Sequence, residues 1–201
     1  EELVRRLMWV EEIRTTNAPY KTWNGRWPSS ATQFVVGAVG ESDLELIATS
    51  EKMFRRAHLR RVYYSRFTPQ MDTPLEDHPA ENPWREHRLY QSSYLLRDYG
   101  FSLEELPFDQ GGNLPLDTDP KTAWADVHLR QQPVELNRAD RESLLRVPGL
   151  GKVGVNRILQ ARRVRTLTSL HQLQALGINA KRAAPFVLLN GKRPEYQLAL
   201  V

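Results

Sequence analysis

Residues 148 to 152 read Pro148-Gly149-Leu150-Gly151-Lys152, two glycines flanking an aliphatic residue with a lysine directly after them. Proline and glycine stop a helix. Glycine also admits backbone angles closed to other residues and carries no side chain to block an approaching group. A helix that starts at Gly151 or Lys152 has unpartnered amide N–H groups and the positive end of its dipole at that point. A phosphate at the turn would meet bare N–H groups, the dipole and the Lys152 charge together. The chemistry on offer is anion binding without sequence readout, because phosphate contacts position a chain and do not distinguish bases.

Two helices must hold this turn. In Leu136 to Arg163, Asn137 or Asp140 can cap the first helix, and Leu144, Leu145 and Val147 are expected to face inward. Leu150 is expected to plug the core, and the second helix carries Val153, Val155, Ile158 and Leu159. The candidate nucleic-acid-binding residues are Pro148, Gly149, Leu150, Gly151, Lys152, Val153, Arg157, Arg162, Arg163, Arg165, Lys181 and Arg182, with Arg146 nearby. Charge supports a polyanionic partner. Residues 130 to 201 hold 13 Lys or Arg against 4 Asp or Glu, a balance of +9, and no carboxylate occurs from Ser143 to Pro194. Residues 1 to 129 carry 15 basic and 20 acidic residues, or −5. A mixed solvated surface would scatter both signs.

The first two thirds read as α/β. Residues 1 to 14 are expected as a helix and Thr15 to Ser30 as a loop holding Trp23 and Trp27. Thr32 to Ala38 reads as a buried strand. Ser42 and Glu45 form a capping box for an amphipathic helix through Leu44, Ile47 and Phe54, and Arg61 to Phe67 reads as a second buried strand. Strand, crossover helix and strand make a parallel βαβ unit. A helix over Trp84 to Tyr99 is expected to place Leu89, Ser92 or Ser93, Leu96 and Tyr99 on one side. The domains are expected as 1 to 30 helix and loop, 31 to 100 α/β, 101 to 133 linker with a short helix at Lys121 to Leu129, and 134 to 193 all-helical.

Composition narrows the chemistry. The 201 residues, 40% hydrophobic, are enough for a real core. No apolar run approaches the length of a membrane span and the amino terminus lacks a signal-peptide layout, so a soluble cytoplasmic protein without a membrane partner is expected. The absence of cysteine removes disulfides, thiolate metal sites, catalytic thiols and cysteine-ligated clusters from this chain. Asp77, His78, Glu86 and His87 fit no compact metal motif, and no metal site is expected. Trp84 and Tyr90 are read as helix-face core rather than as base-stacking residues.

VPGLGKVGVNRIL resembles the helix-hairpin-helix family, in which a Pro-Gly-hydrophobic-Gly turn joins two helices that bind nucleic-acid backbone. The lead-in LNRADRESLLRV resembles the tandem hairpins of competence DNA-receptor proteins. Ser169 to Leu188 resembles a second, degenerate hairpin with Leu176-Gly177-Ile178-Asn179 as its turn and no second glycine. Hairpin-bearing glycosylases place a catalytic Asp shortly after the motif, and none follows here.

Three segments in order, from Ala31 to Pro69, Arg85 to Phe101 and Leu136 to Gly151, resemble the carboxyl-terminal half of radical SAM proteins described as DNA modification or repair enzymes. The resemblance implies a partial TIM-like barrel remnant followed by a tandem helix-hairpin-helix domain. It also implies S-adenosylmethionine and an iron-sulfur cluster for a longer family protein, with none in this chain, which is not expected to be catalytic by itself. By position after the strands, Gln33, Gly37, Glu41, Tyr64 and Ser65 would line the S-adenosylmethionine site. The implied partners are DNA, single- or double-stranded, and a missing amino-terminal barrel half or another protein chain. The alternatives are a non-catalytic nucleic-acid-binding or scaffold protein with a degenerate barrel, and a protein-interaction module.

Overall fold

A computed structural model describes residues 2–195. The chain divides into two compact units: the residues up to Ser93 together with Phe108–Leu116, and Tyr94–Pro107 together with the chain from Asp117 onward. Among the described residues the structure is mixed α/β, with eight α-helices and two separate two-stranded parallel sheets. No helix among them is long and apolar enough to cross a membrane.

The first unit begins with α1 (Glu2–Thr16) and is built on β1 (Ala31–Val36), α2 (Asp43–Ala57) and β2 (Arg61–Arg66). The expected capping box forms: the Ser42 side chain accepts from the Glu45 N–H, and the Glu45 carboxylate accepts from the Ser42 N–H at 2.8 Å. These bonds, from the Ser42 backbone first and its side chain second, hold the Glu45 carboxyl below its ordinary pKa. The helix carries the chain back so that β2 lies parallel to β1, from Ala31 opposite Arg61 to Val36 opposite Arg66.

Both strands were expected to be buried on both faces, and the structure covers only one. Val36, Val62 and Tyr64 are buried, whereas Val35 and Tyr63 are exposed. Successive strand residues point to opposite faces, so a layer on one side alone buries every second residue. Within that layer Tyr64 Oη shares a 2.8 Å hydrogen bond with Ser50 Oγ of α2, and the Tyr64 N–H donates to Tyr90 Oη at 3.0 Å. The buried face of α2 is Leu46, Ile47, Ser50, Met53 and Ala57. Of the apolar face expected for this helix only Ile47 is fully buried; Leu44 is exposed and Phe54 half-buried.

Tyr90 lies on α3 (Pro83–Asp98), whose Leu89, Ser92, Ser93 and Leu95 are buried. Asp43, fully buried at the start of α2, accepts from Arg85 Nε at 2.7 Å and from the Leu114 N–H at 2.9 Å. Such a carboxylate is tolerated only because each bond compensates for lost water. Trp84, expected on the core side, is 55% exposed, with the Arg88 guanidinium over its ring at 5.1 Å.

The second unit draws on the stretch expected as a linker. α4 (Pro120–His128) starts with Pro120 in its first turn and the Asp119 side chain accepting from the Thr122 N–H at 3.1 Å. Ala125 and Leu129 join the unit's core. The unit is not all-helical: β3 (Val134–Glu135) pairs in parallel with β4 (Val187–Leu188). Between them run α5 (Arg141–Arg146), α6 (Lys152–Val164), α7 (Leu170–Ala175) and α8 (Ala180–Ala183). Leu144, Val147, Leu150, Val155, Ile158, Leu167, Leu173 and Phe186 share one cluster, each large side chain contributing roughly 1.5–3 kcal/mol by leaving water.

Candidate nucleic-acid interface

Asp140 caps α5 by accepting from the Ser143 N–H at 2.7 Å, and the chain turns at Val147 to Gly151 into α6. The two glycines of the turn have different duties. Gly149 has φ +81°, and a Cβ there would lie 2.7 Å from the Asn179 carbonyl oxygen and 3.2 Å from Arg182 Cβ. Its missing side chain therefore makes room for the start of α8. Gly151, expected to share the unusual backbone, has φ −96°, which any residue adopts, and a Cβ there would meet only Tyr99 Oη at 3.5 Å. The open approach lies at Gly151 alone.

Pro148 and Leu150 are buried, Leu150 to 1% exposure, so both build the turn from beneath. Gly151 caps α6 without a side chain, and the first backbone bond of the helix is donated by Val155 to Gly151 O at 2.9 Å. The N–H groups of Lys152, Val153 and Gly154 precede that bond and have no acceptor among the described residues. Val153, one of the candidate nucleic-acid-binding residues, is 62% exposed. Two residues along a helix rotate the side chain about 200°, so burial of Val155 turns Val153 outward.

The second helix pair repeats the device. Gly177 has φ +71° and the following Ile178 is buried, as Leu150 is after Gly149. Gly154 lets the pairs close on each other, since a Cβ there would stand 3.1 Å from Ile178 Cγ1.

The cations are less free than their sequence balance suggests, because carboxylates from before residue 130 return to them. Lys152 Nζ lies 2.7 Å from Asp98, Arg146 2.8 Å from Glu105, and Arg182 pairs with Asp119. Partial burial pushes the Asp98 carboxyl up, but the bonds from Lys152 and Arg97 outweigh it and leave its pKa lowered. Arg157 Nη1 donates to Leu176 O at 2.8 Å, and Arg162 Nη1 donates to Leu136 O at 3.0 Å and Ala139 O at 2.6 Å. Arg163, Arg165 and Lys181 are exposed and have no carboxylate partner among the described residues.

Sequence reasoning missed Lys121. Its Nζ donates to Leu150 O at 2.6 Å and lies 4.7 Å from the centre of the Tyr99 ring. Burial first, then Arg182 and Arg146 against the opposing Asp119, pull its pKa from 10.5 to about 7. No local pattern marks it, since its partner is 29 residues away.

The expected cofactor positions do not converge. Gln33 and Ser65 lie on the open face of the sheet, whereas Tyr64 is buried on the other, bonded to Ser50. Glu41 accepts from the Gly37 N–H at 2.6 Å and the Val39 N–H at 3.3 Å, so its carboxylate closes the loop after β1. These residues do not fit an S-adenosylmethionine cradle, and a chain without cysteine offers no thiolate to a cluster. Glu86 accepts from the Arg66 N–H at 2.9 Å and His78 Nδ1 lies 3.0 Å from Pro79 O. Among the described residues no group of three or more His, Cys, Asp or Glu is placed to hold a metal.

Comparison with protein-family models, with curated proteins and with solved structures finds no match to this chain.

Proposed function

We propose that the second unit binds the sugar-phosphate backbone of DNA without reading its sequence, using the turn before α6 as a helix-hairpin-helix does. The carrying observation is the set of free N–H groups on Lys152, Val153 and Gly154 beside Gly151, the position where an added side chain meets almost nothing. A helix start of this kind favours phosphate. Arg163, Arg165 and Lys181 supply charge on a stretch without carboxylates. The Lys152–Asp98 pair is half in solvent and is readily exchanged for a phosphate partner. On the resemblance of its three segments, the chain is the carboxyl-terminal part of a radical SAM DNA modification or repair protein, and this unit holds the strand while chemistry occurs on residues outside it. The open face and edges of the β1–β2 sheet suit the remainder of a barrel, since two strands alone make a poor sheet.

The test is DNA affinity against salt for the parent and for Gly151→Glu, which sets a carboxylate at the open approach in an unstrained backbone. Counterion release gives the parent a negative slope in log salt of about 0.9 per phosphate contacted. Loss of affinity in the folded variant supports the reading. Equal affinity, or no affinity in either, overturns it.

A further inference from the structure

The loop between α1 and β1 carries three aromatic rings among cations. From Ile13 to Gly40 the sequence holds Arg14, Lys21 and Arg26 and no Asp or Glu. Arg14 is engaged by Glu11 at 3.2 Å, while Lys21 and Arg26 are exposed and have no carboxylate partner among the described residues. The rings of Tyr20 and Trp23 meet edge to face, centroids 5.0 Å apart at 80°, and Trp27 continues the row at 5.3 Å and 58° from Trp23. Tyr20 is 68% exposed and Trp23 39%, while Trp27 is half-buried.

The row is held in place. Lys21–Trp23 forms a 3-10 turn, Asn24 and Gly25 take left-handed angles of φ 52° and 66°, and the Arg26 N–H donates to Trp23 O at 3.0 Å. Trp27 Nε1 donates to Asn17 O at 3.1 Å, which fixes the end of the row against the end of α1. Large rings held in water by such a frame have paid their ordering entropy before any ligand arrives. An edge-to-face contact covers part of one ring's face, and the exposure of Tyr20 and Trp23 leaves the remaining ring surface open to a planar base. Cations alternating with the rings, with no carboxylate nearby in sequence, favour a polyanion over an apolar protein surface.

We propose that Tyr20, Trp23 and Trp27, with Lys21 and Arg26 between them, form a stacking site for the bases of single-stranded nucleic acid. The site lies in the first unit and does not depend on the turn before α6. The rings take the bases; Lys21 and Arg26 take the phosphates between them.

The test uses the full chain carrying Gly151→Glu, so that binding at that turn does not contribute, with two labelled oligonucleotides of about ten residues. One is oligo(dT); the other is its abasic counterpart of equal charge. Stacking predicts that oligo(dT) binds at least about ten-fold more tightly than the abasic strand, that Tyr20→Ala with Trp23→Ala removes this advantage, and that Tyr20→Phe with Trp23→Phe retains most of it. Both rings are exposed, so the alanine pair keeps its fold, checked by circular dichroism and melting temperature. Equal binding of the two strands, an alanine pair that binds oligo(dT) as the parent does, or no binding of either strand overturns the proposal. The backbone reading for the second unit stands or falls on the separate salt titration.

Discussion

Lys121 donates from Nζ to the Leu150 carbonyl at 2.6 Å, which ties α4 to the turn between α5 and α6. The bond reaches beneath the turn, where Leu150 is buried, and the Tyr99 ring covers the ammonium. A segment expected as linker thus fixes the turn whose amides are free.

The titration of Lys121 gives stability a direction with pH. Its pKa is lowered by burial to about 7 in the folded chain, against 10.5 unperturbed. Below the folded value both states hold the proton, and the cost of burying the ammonium is present in full. Between the two values the unfolded chain binds a proton that the folded chain has lost, so stability rises with pH. Above the unfolded value the gain is complete. The stability of the parent relative to Lys121→Met is expected to rise by about 1–3 kcal/mol from about pH 6 to about pH 10. Urea unfolding at each pH measures it, and a flat difference shows that the Leu150 carbonyl and the Tyr99 ring keep the ammonium charged throughout.

The two glycines of the turn are expected to separate folding from binding. Gly149→Ala meets both a φ of +81° and an oxygen 2.7 Å away, and should cost about 2–4 kcal/mol. Gly151→Ala meets neither and should cost less than about 1 kcal/mol, while lowering DNA affinity by narrowing the approach. Thermal unfolding beside a binding titration distinguishes them. A large stability loss at Gly151 would contradict the assignment of the open side.

Arg162 and Arg163 are neighbours with opposite expectations. Removal of Arg162 leaves the Leu136 and Ala139 carbonyls without their donor and should cost about 1–3 kcal/mol, with the salt slope of DNA binding unchanged. Arg163→Ala should leave stability within about 0.5 kcal/mol and reduce that slope by up to about 0.9. A slope that changes at Arg162 and not at Arg163 would reverse the two roles.

The local features were legible in the sequence because they depend on residues a few positions apart. The Ser42 and Glu45 capping box, the Asp140 cap and the turn at Gly149 follow from near neighbours, and the parallel βαβ order follows from the sequence of strand, helix and strand. The tertiary structure decided which side of each element meets a partner and which charges meet in space. Tyr64 went to the covered face, Val153 to solvent, and Trp84 away from the core, because a helix or strand pattern does not say what packs on it. The basic stretch lost part of its free charge to Asp98, 54 residues before Lys152, and to Asp119, 63 residues before Arg182. Charge balance along a chain is a sum over sequence, whereas attraction between charges depends on distance, and only the fold sets that distance.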